Sequence, residues 1–228
     1  PTIFKHEIRR VIAVQGSYVH VEEPFTFAHA VGSCGLDRLR YNAAAEEGSP
    51  NIASSTKDTK GLILDVRTNG GGSDVNAHII AQELITSLTR IRWIRYRNGP
   101  EHYSYSRWIS NELTPKQRSY EQPVVIITDR SVFSAAEDFV LALRHLPNVY
   151  VVGQFTGGGS GNPMTRELPN GWILKVPRWQ VADPLTKILY EGIGLEPDSV
   201  LVQRTLDTTL GIDRVLDFSI EYINEIAN

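Results

Sequence analysis

Residues 123–139 read PVVIITDRSVFSAAEDF. Val124 to Thr128 form an unbroken β-branched run opened by a proline, the pattern of a strand buried on both faces rather than of a half-exposed one. Asp129 and Arg130 then break the run, and Ser-x-x-Ser followed by Ala135, Ala136 and Glu137 opens a helical stretch. The same order occurs earlier. GLILDVRTNGGG (61–72) is an apolar run closed by an acid and a glycine turn, and DVNAHIIAQELITSL (Asp74 to Leu88) has helical spacing, predicting Ile79, Leu84 and Leu88 inward. VYVVGQ (Val149 to Gln154) supplies a third such strand. Strands alternating with helices predict an α/β domain with a largely parallel sheet, whose functional groups gather at the carboxyl ends of the strands.

Outward from this centre, VIAVQGSYVHVEE (Val11 to Glu23) alternates around Gly16 as two short strands and a turn. SCGLDRLRYNAAAEEGSPNIASSTKDTK (33–60) reads as a helical start running into an exposed loop. RIRWIRYRNG (90–99) alternates like a strand and TPKQRSYEQP (114–123) is a polar connector. TGGGSGNP (156–163) is a loop, and RELPNGWILKVPRW (166–179) a hairpin turning at Pro169 to Gly171. DRVLDFSIEYINEIA (213–227) is an amphipathic helix with Val215, Phe218, Ile220 and Ile223 inward.

At 228 residues, 41% apolar and 21% charged, the chain has the composition of one ordinary globular domain. A net charge of −3 with no Lys/Arg run argues against nucleic acid and acidic membrane surfaces as partners. Cys34 stands alone, so no internal disulfide forms, and no cysteine–histidine spacing suggests a metal. No stretch reaches the length of a membrane-spanning helix. The chain opens at Pro1 without a methionine or a leader pattern and is read as a single domain, 1–228, of a longer chain.

Residue chemistry alone leaves alternatives open. NGGGSD (69–74) lacks the G-x-G-x-x-G dinucleotide spacing and no G-K-[ST] follows, so the turn is either a tight connection or a cradle of main-chain N–H groups. Ser131 is the expected N-cap, placing Ser134 one turn inside the helix, where a serine is structural or a nucleophile. His20 is a strand histidine or a base. His78 reads as packing or surface, and His29 and His102 carry weaker signals still, His102 in an aromatic loop that could line a cleft. Glu137 serves the first turn of its own helix, and Asp65 could orient the turn after its strand.

GLILDVRTNGGG, PVVIITDRSVFSAAEDF, VYVVGQFTGGGSG, LPNGWILKVP and YEGIGLEPD occur in an order and at spacings that resemble the core domain of the C-terminal processing, or tail-specific, serine proteases. The resemblance runs from about Gly16 to the C-terminus. It implies the ββα-superhelix fold, related to the crotonase and Clp-protease arrangement, without a PDZ domain in this chain. It further implies a serine endopeptidase acting on unfolded or C-terminal polypeptide without cofactor or metal. Ser134 becomes the nucleophile, with an oxyanion hole from Ala135 and Gly71 or Gly72.

The lysine of the better-known branch, in a T-x-G-K-G loop, falls on Gly159, so that dyad is absent; Lys175 and Lys187 read as exposed residues. The T-x-G-G loop resembles the tricorn-type branch, which implies His20 as base and Glu191 as the acid that orients it. In that branch a serine precedes the histidine, whereas Val19 does here. Relatives with this loop point to an extracytoplasmic, bacterial setting. The alternatives on the same fold are a catalytically inactive ligand- or peptide-binding module and a crotonase-type acyl-thioester enzyme.

Overall fold

The computed structural model describes residues 10–15, 18–20, 59–116 and 119–226, the first two segments as backbone only. The principal sheet has six strands, β1 (Arg10–Gln15), β2 (Tyr18–His20), β3 (Gly61–Asp65), β6 (Val124–Thr128), β7 (Val149–Gly153) and β11 (Ser199–Val200), in the order β11-β7-β6-β3-β1-β2. β3, β6, β7 and β11 run parallel; β1 is antiparallel to β3 and to β2. The predicted pair of short strands around Gly16 is present, while the segment 33–58 and the histidine at 29 lie outside the described residues.

Successive side chains of a strand point to opposite faces, and both faces here are covered. Leu62, Leu64 and Ile126 join the core beneath helices α1 (Asp74–Ala81) and α2 (Ala135–Leu143). Ile63, Val125, Ile127 and Val152 face the other way, onto Val215, Leu216 and Ile223 of α4 (Arg214–Ile226). Each such side chain contributes roughly 1.5–3 kcal/mol by leaving water, which is why unalternating runs settle at the centre of the sheet. Arg67 fastens the end of β3 to the start of α4, bonding the Asp65 carboxylate at 2.7 Å and Asp213 at 2.6 Å; Asp65 also accepts the Arg67 N–H and so shapes the turn.

A second sheet, ordered β10-β4-β5, combines β4 (Thr89–Tyr96), β5 (Ile109–Leu113) and β10 (Trp179–Ala182), all antiparallel, with β4 against α2. The expected hairpin is β8 (Met164–Glu167) with β9 (Ile173–Val176), exposed along its length. α3 (Thr205–Thr209) is a short turn of helix before α4.

Two expectations are corrected. α1 stops at Ala81 instead of reaching Leu88, which is 63% exposed. Leu84 and Ile85, both buried, follow the helix end in a turn whose N–H groups bond back to Ala81 O. In α4, Val215 and Ile223 face inward as expected, but Leu216 and Ser219 are buried where Phe218 and Ile220 are only partly so.

Candidate active site

The loops after β3, β6 and β7 meet at one edge of the parallel strands. Ser134, not Ser131, is the N-cap of α2. Ser131 sits in the preceding turn with its N–H on Asp129 Oδ1 at 2.8 Å, because the aspartate already closes that turn. Ser134 has φ 56° and ψ −125°, a conformation unusual for any residue but glycine that costs of order 1–3 kcal/mol.

The flanking loops hold that conformation. The Phe133 N–H donates to Asn69 O in the glycine turn at 3.0 Å, the Ser134 N–H to Gly159 O at 2.9 Å, and the Gly157 N–H to Val132 O at 2.8 Å. Beneath them Glu137 is fully buried and accepts from Thr156 Oγ1 (2.5 Å), Gly158 N (2.8 Å), Gly159 N (2.8 Å) and Ser134 N (3.2 Å). Burial pushes its carboxyl up, and these four donors oppose the shift. Both oxygens are occupied: Glu137 serves its own helix start through the Ser134 N–H, as expected, and beyond that expectation it organises the loop at 156–159.

Gly71, at φ 95°, lies so close that a Cβ there would stand 2.6 Å from Ser134 Cβ. Its own N–H is spent on Asn69 Oδ1 at 2.9 Å. The N–H groups of Gly72 and Ala135, which line one recess, have no protein acceptor among the described residues. This recess is small, about 20 Å³, partly open to solvent and lined by Gly72, Ser73, Ala77, Ile80, Ala135 and Phe139.

Gly159 is tight for a different reason. A Cβ on it would lie 1.8 Å from a carbon of the Phe133 ring, which covers Gly157 and Gly159. Lys187, with its Nζ 4.1 Å from the Trp93 ring centre, and Lys175 on β9 are exposed, as expected.

The fourth loop joins through residues 157–160. The Gly192 N–H donates to Gly158 O at 2.7 Å, and Glu191 Oε2 accepts both the N–H and the Oγ–H of Ser160, each at 2.9 Å. Ser134, Gly72, Ala135 and Glu191 are therefore carried by one hydrogen-bonded set of loops. His20 is described only as a backbone position, on edge strand β2 opposite Ala13, which pairs with Leu62; this register sets it level with the start of β3 and three strands from β6, so the described backbone does not bring it to Ser134.

Sequence reasoning missed a second acid–histidine pair. His145 Nε2 lies 2.7 Å from Asp183 Oδ2, with no sequence signal because 38 residues separate them. Burial of Asp183 opposes ionisation, but the His145 bond and the Thr186 and Leu185 N–H groups outweigh it and hold the carboxyl well below its usual range. His145 follows the C-terminal end of α2 and Ser134 stands at its N-terminal end, roughly 15 Å away at 1.5 Å per residue, so the pair does not serve Ser134. His78, on α1, is pushed down to about 4 by burial and then by the Arg92 cation. His102 is exposed in the loop after β4.

The sequence profile of peptidase family S41 matches residues 41–201. The chain is 30% identical over 155 residues to the carboxy-terminal processing protease CtpA of Bacillus subtilis, covering 67% of this chain and 32% of that protein. It is 26% identical over 213 residues to the tricorn protease of Thermoplasma acidophilum, covering 92% of this chain and 17% of that one. Among solved structures, a candidate peptidase from Parabacteroides merdae superposes with a TM-score of 0.70 at 35% identity, covering 75% of this chain and 54% of its own. Mature CPAF shares the fold, with a TM-score of 0.62 at 15% identity over 100% of this chain and 56% of that one. The chain spans well under half the length of these curated relatives.

Proposed function

The chain belongs to peptidase family S41, and we propose that it carries the core of a serine endopeptidase with Ser134 as nucleophile, His20 as general base and Glu191 as the acid that orients the base. The observation that supports this best is Ser134 at the head of α2, in a strained conformation, beside a recess lined by Gly72 and Ala135, whose N–H groups have no acceptor among the described residues. Ser134 Oγ attacks a peptide carbonyl while His20 takes its proton. The carbonyl oxygen, now an anion, is received by Gly72 and Ala135, with the helix N-terminus adding its partial positive charge. Each such donor is worth about 3–4 kcal/mol in the transition state. Gly71, whose N–H is occupied, supplies the close approach and Gly72 the donor.

His20 then passes its proton to the leaving amine, giving an acyl-enzyme, and water activated by the same base releases the acid and restores the serine. An imidazole of ordinary pKa near 6.5 can both accept and return a proton at neutral pH. Polypeptide in an extended, unfolded state is the proposed substrate, its acyl-side chain lying over the small apolar recess beside Gly72.

A fluorophosphonate probe on the full-length protein tests the reading. Labelling and peptide cleavage that disappear in Ser134→Ala and fall by roughly a hundredfold or more in His20→Ala support it. Labelling that persists in Ser134→Ala refutes it.

A further inference from the structure

The Gly159–Ser160 peptide unit lies between the two halves of the site. On one side, Gly159 O accepts the Ser134 N–H at 2.9 Å and Gly159 N–H donates to Glu137. On the other, Ser160 gives both of its donors to a single oxygen, Glu191 Oε2, at 2.9 Å each. The Ser160 carbonyl accepts the Trp179 indole N–H at 2.7 Å, and Trp179 in turn packs on the core and meets the Tyr96 ring edge-on.

Burial differs sharply across this contact. Ser160 is 5% exposed, whereas Glu191 is exposed. An exposed glutamate ordinarily keeps its rotamer freedom. Two donors from one rigid residue stop that rotation and leave Oε1 without a partner among the described residues. A fixed carboxylate with one open oxygen is suited to orient an imidazole and to stabilise the cation it becomes.

The loop does not need the Ser160 hydroxyl for its own shape. Gly158 and Gly159 are held by Glu137, Gly158 O by Gly192 N–H, and Ser160 O by Trp179. The hydroxyl donates to Glu191, with the buried Tyr190 hydroxyl beside it. We propose that Ser160 is a positioning residue: it sets the Glu191 carboxylate in the orientation that serves the general base and, through Gly159, keeps that carboxylate in register with Ser134. The inference rests on the serine-peptidase reading above and adds a residue to its machinery.

A double-mutant cycle on the full-length protein tests it, with kcat, KM and the fluorophosphonate labelling rate followed against pH. Ser160→Ala is expected to lower kcat and the labelling rate roughly tenfold, with KM and melting temperature nearly unchanged. Ser160→Thr, which keeps the hydroxyl, recovers most of the loss. The signature of positioning is that Ser160→Ala adds nothing once Glu191→Gln is present. Should Ser160→Ala fail to fold, Ser160→Cys, close in size and a weaker donor, replaces it in the same cycle. A Ser160 effect repeated in full on the Glu191→Gln background, or wild-type rates in Ser160→Ala, overturns the positioning role and leaves the peptidase reading standing; wild-type rates in Glu191→Gln overturn both the positioning role and the part given to Glu191. Activity that survives Ser134→Ala overturns the reading itself.

Discussion

The main-chain N–H of Ser134 donates to the carbonyl oxygen of Gly159 at 2.9 Å, tying the head of α2 to the glycine loop after β7. A serine at φ 56° does not stay there by preference, so the strain is met by contacts from outside the helix. They come from the glycine turn, through Asn69 O and Phe133 N–H, and from the loop at 156–160, through Gly159 and Glu137. Their hydrogen bonds explain why these loops must move together.

Gly71 is the most sensitive point on the first side. Gly71→Ala places a methyl 2.6 Å from Ser134 Cβ and at a φ of 95°, which costs about 1 kcal/mol in backbone strain before any clash is counted. Fluorophosphonate labelling is expected to fall by roughly tenfold or more, since a 1 Å displacement of a reacting group has effects of that order. Gly70→Ala is the control, because nothing lies within 4 Å of a Cβ there, and its labelling should match the parent.

Glu137 should matter to stability as well as to the site. In Glu137→Gln, either orientation of the amide turns an NH₂ toward a main-chain N–H, of Gly158 on one side or of Gly159 and Ser134 on the other. One buried donor then loses its acceptor, costing about 1–3 kcal/mol. Urea titration should show a lower midpoint at an unchanged m-value. An unchanged midpoint would mean that the carboxylate is not what holds these loops.

The central strands, α2 and the family of the site were legible because their signals are local: unalternating β-branched runs, Ser-Ala-Ala-Glu at a helix start, and glycines in fixed order. What was not legible depends on residues far apart in the chain. Arg67 joins Asp65 to Asp213 across 146 positions, and His145 meets Asp183 across 38. Strand β5, ISNEL, carries three polar residues in five and is a strand by virtue of pairing with β4, not of its own pattern. The choice between Ser131 and Ser134 turned on Asp129, which takes the Ser131 N–H and leaves Ser134 to begin the helix. Ser160 gave no sign in the sequence, because its partner is a side chain on another loop.

His78 gives the fold a pH dependence of known sign. Its pKa is lowered from 6.5 to about 4, by burial first and by Arg92 second, with Asp74 opposing. The unfolded chain therefore binds a proton more readily than the folded one, and His78's contribution is fully present above about 6.5 and lost as pH falls through about 4. The loss amounts to about 1–3 kcal/mol across that window. Denaturation midpoints at pH 7, 5.5 and 4 should drift downward in the parent and drift less in His78→Met. Equal slopes in the two proteins would remove His78 from the account.

The recess beside Gly72 predicts a size limit on the acyl residue. Ala77→Leu projects a larger apolar side chain into this recess of only about 20 Å³. kcat/KM should drop roughly tenfold for peptides with leucine at the acyl position and change little for alanine, in line with pocket discrimination of about 1–3 kcal/mol per methylene. A uniform drop for both peptides would point to a disturbed nucleophile rather than a filled pocket.

Gly159 occupies the position where the lysine of the dyad branch would fall, and the space around it opposes putting that lysine back. Any Cβ at 159 stands 1.8 Å from the Phe133 ring, and residue 159 also supplies the carbonyl that fixes Ser134 and an N–H to Glu137. Gly159→Lys is therefore expected to lose labelling and to be destabilised by about 1–3 kcal/mol, the range for overpacking, rather than to gain a second base. Because the obstruction is a side chain 42% exposed, Phe133→Ala in the same chain should restore most of the stability by opening the space. Thermal melts and labelling rates of Gly159→Lys, Phe133→Ala and the double variant distinguish the outcomes. Recovery of stability in the double variant with labelling still weak means that the ring was the steric obstacle and that the site relies on its own base. Labelling in Gly159→Lys at or above the parent's rate would show that the lysine can be accommodated and can act.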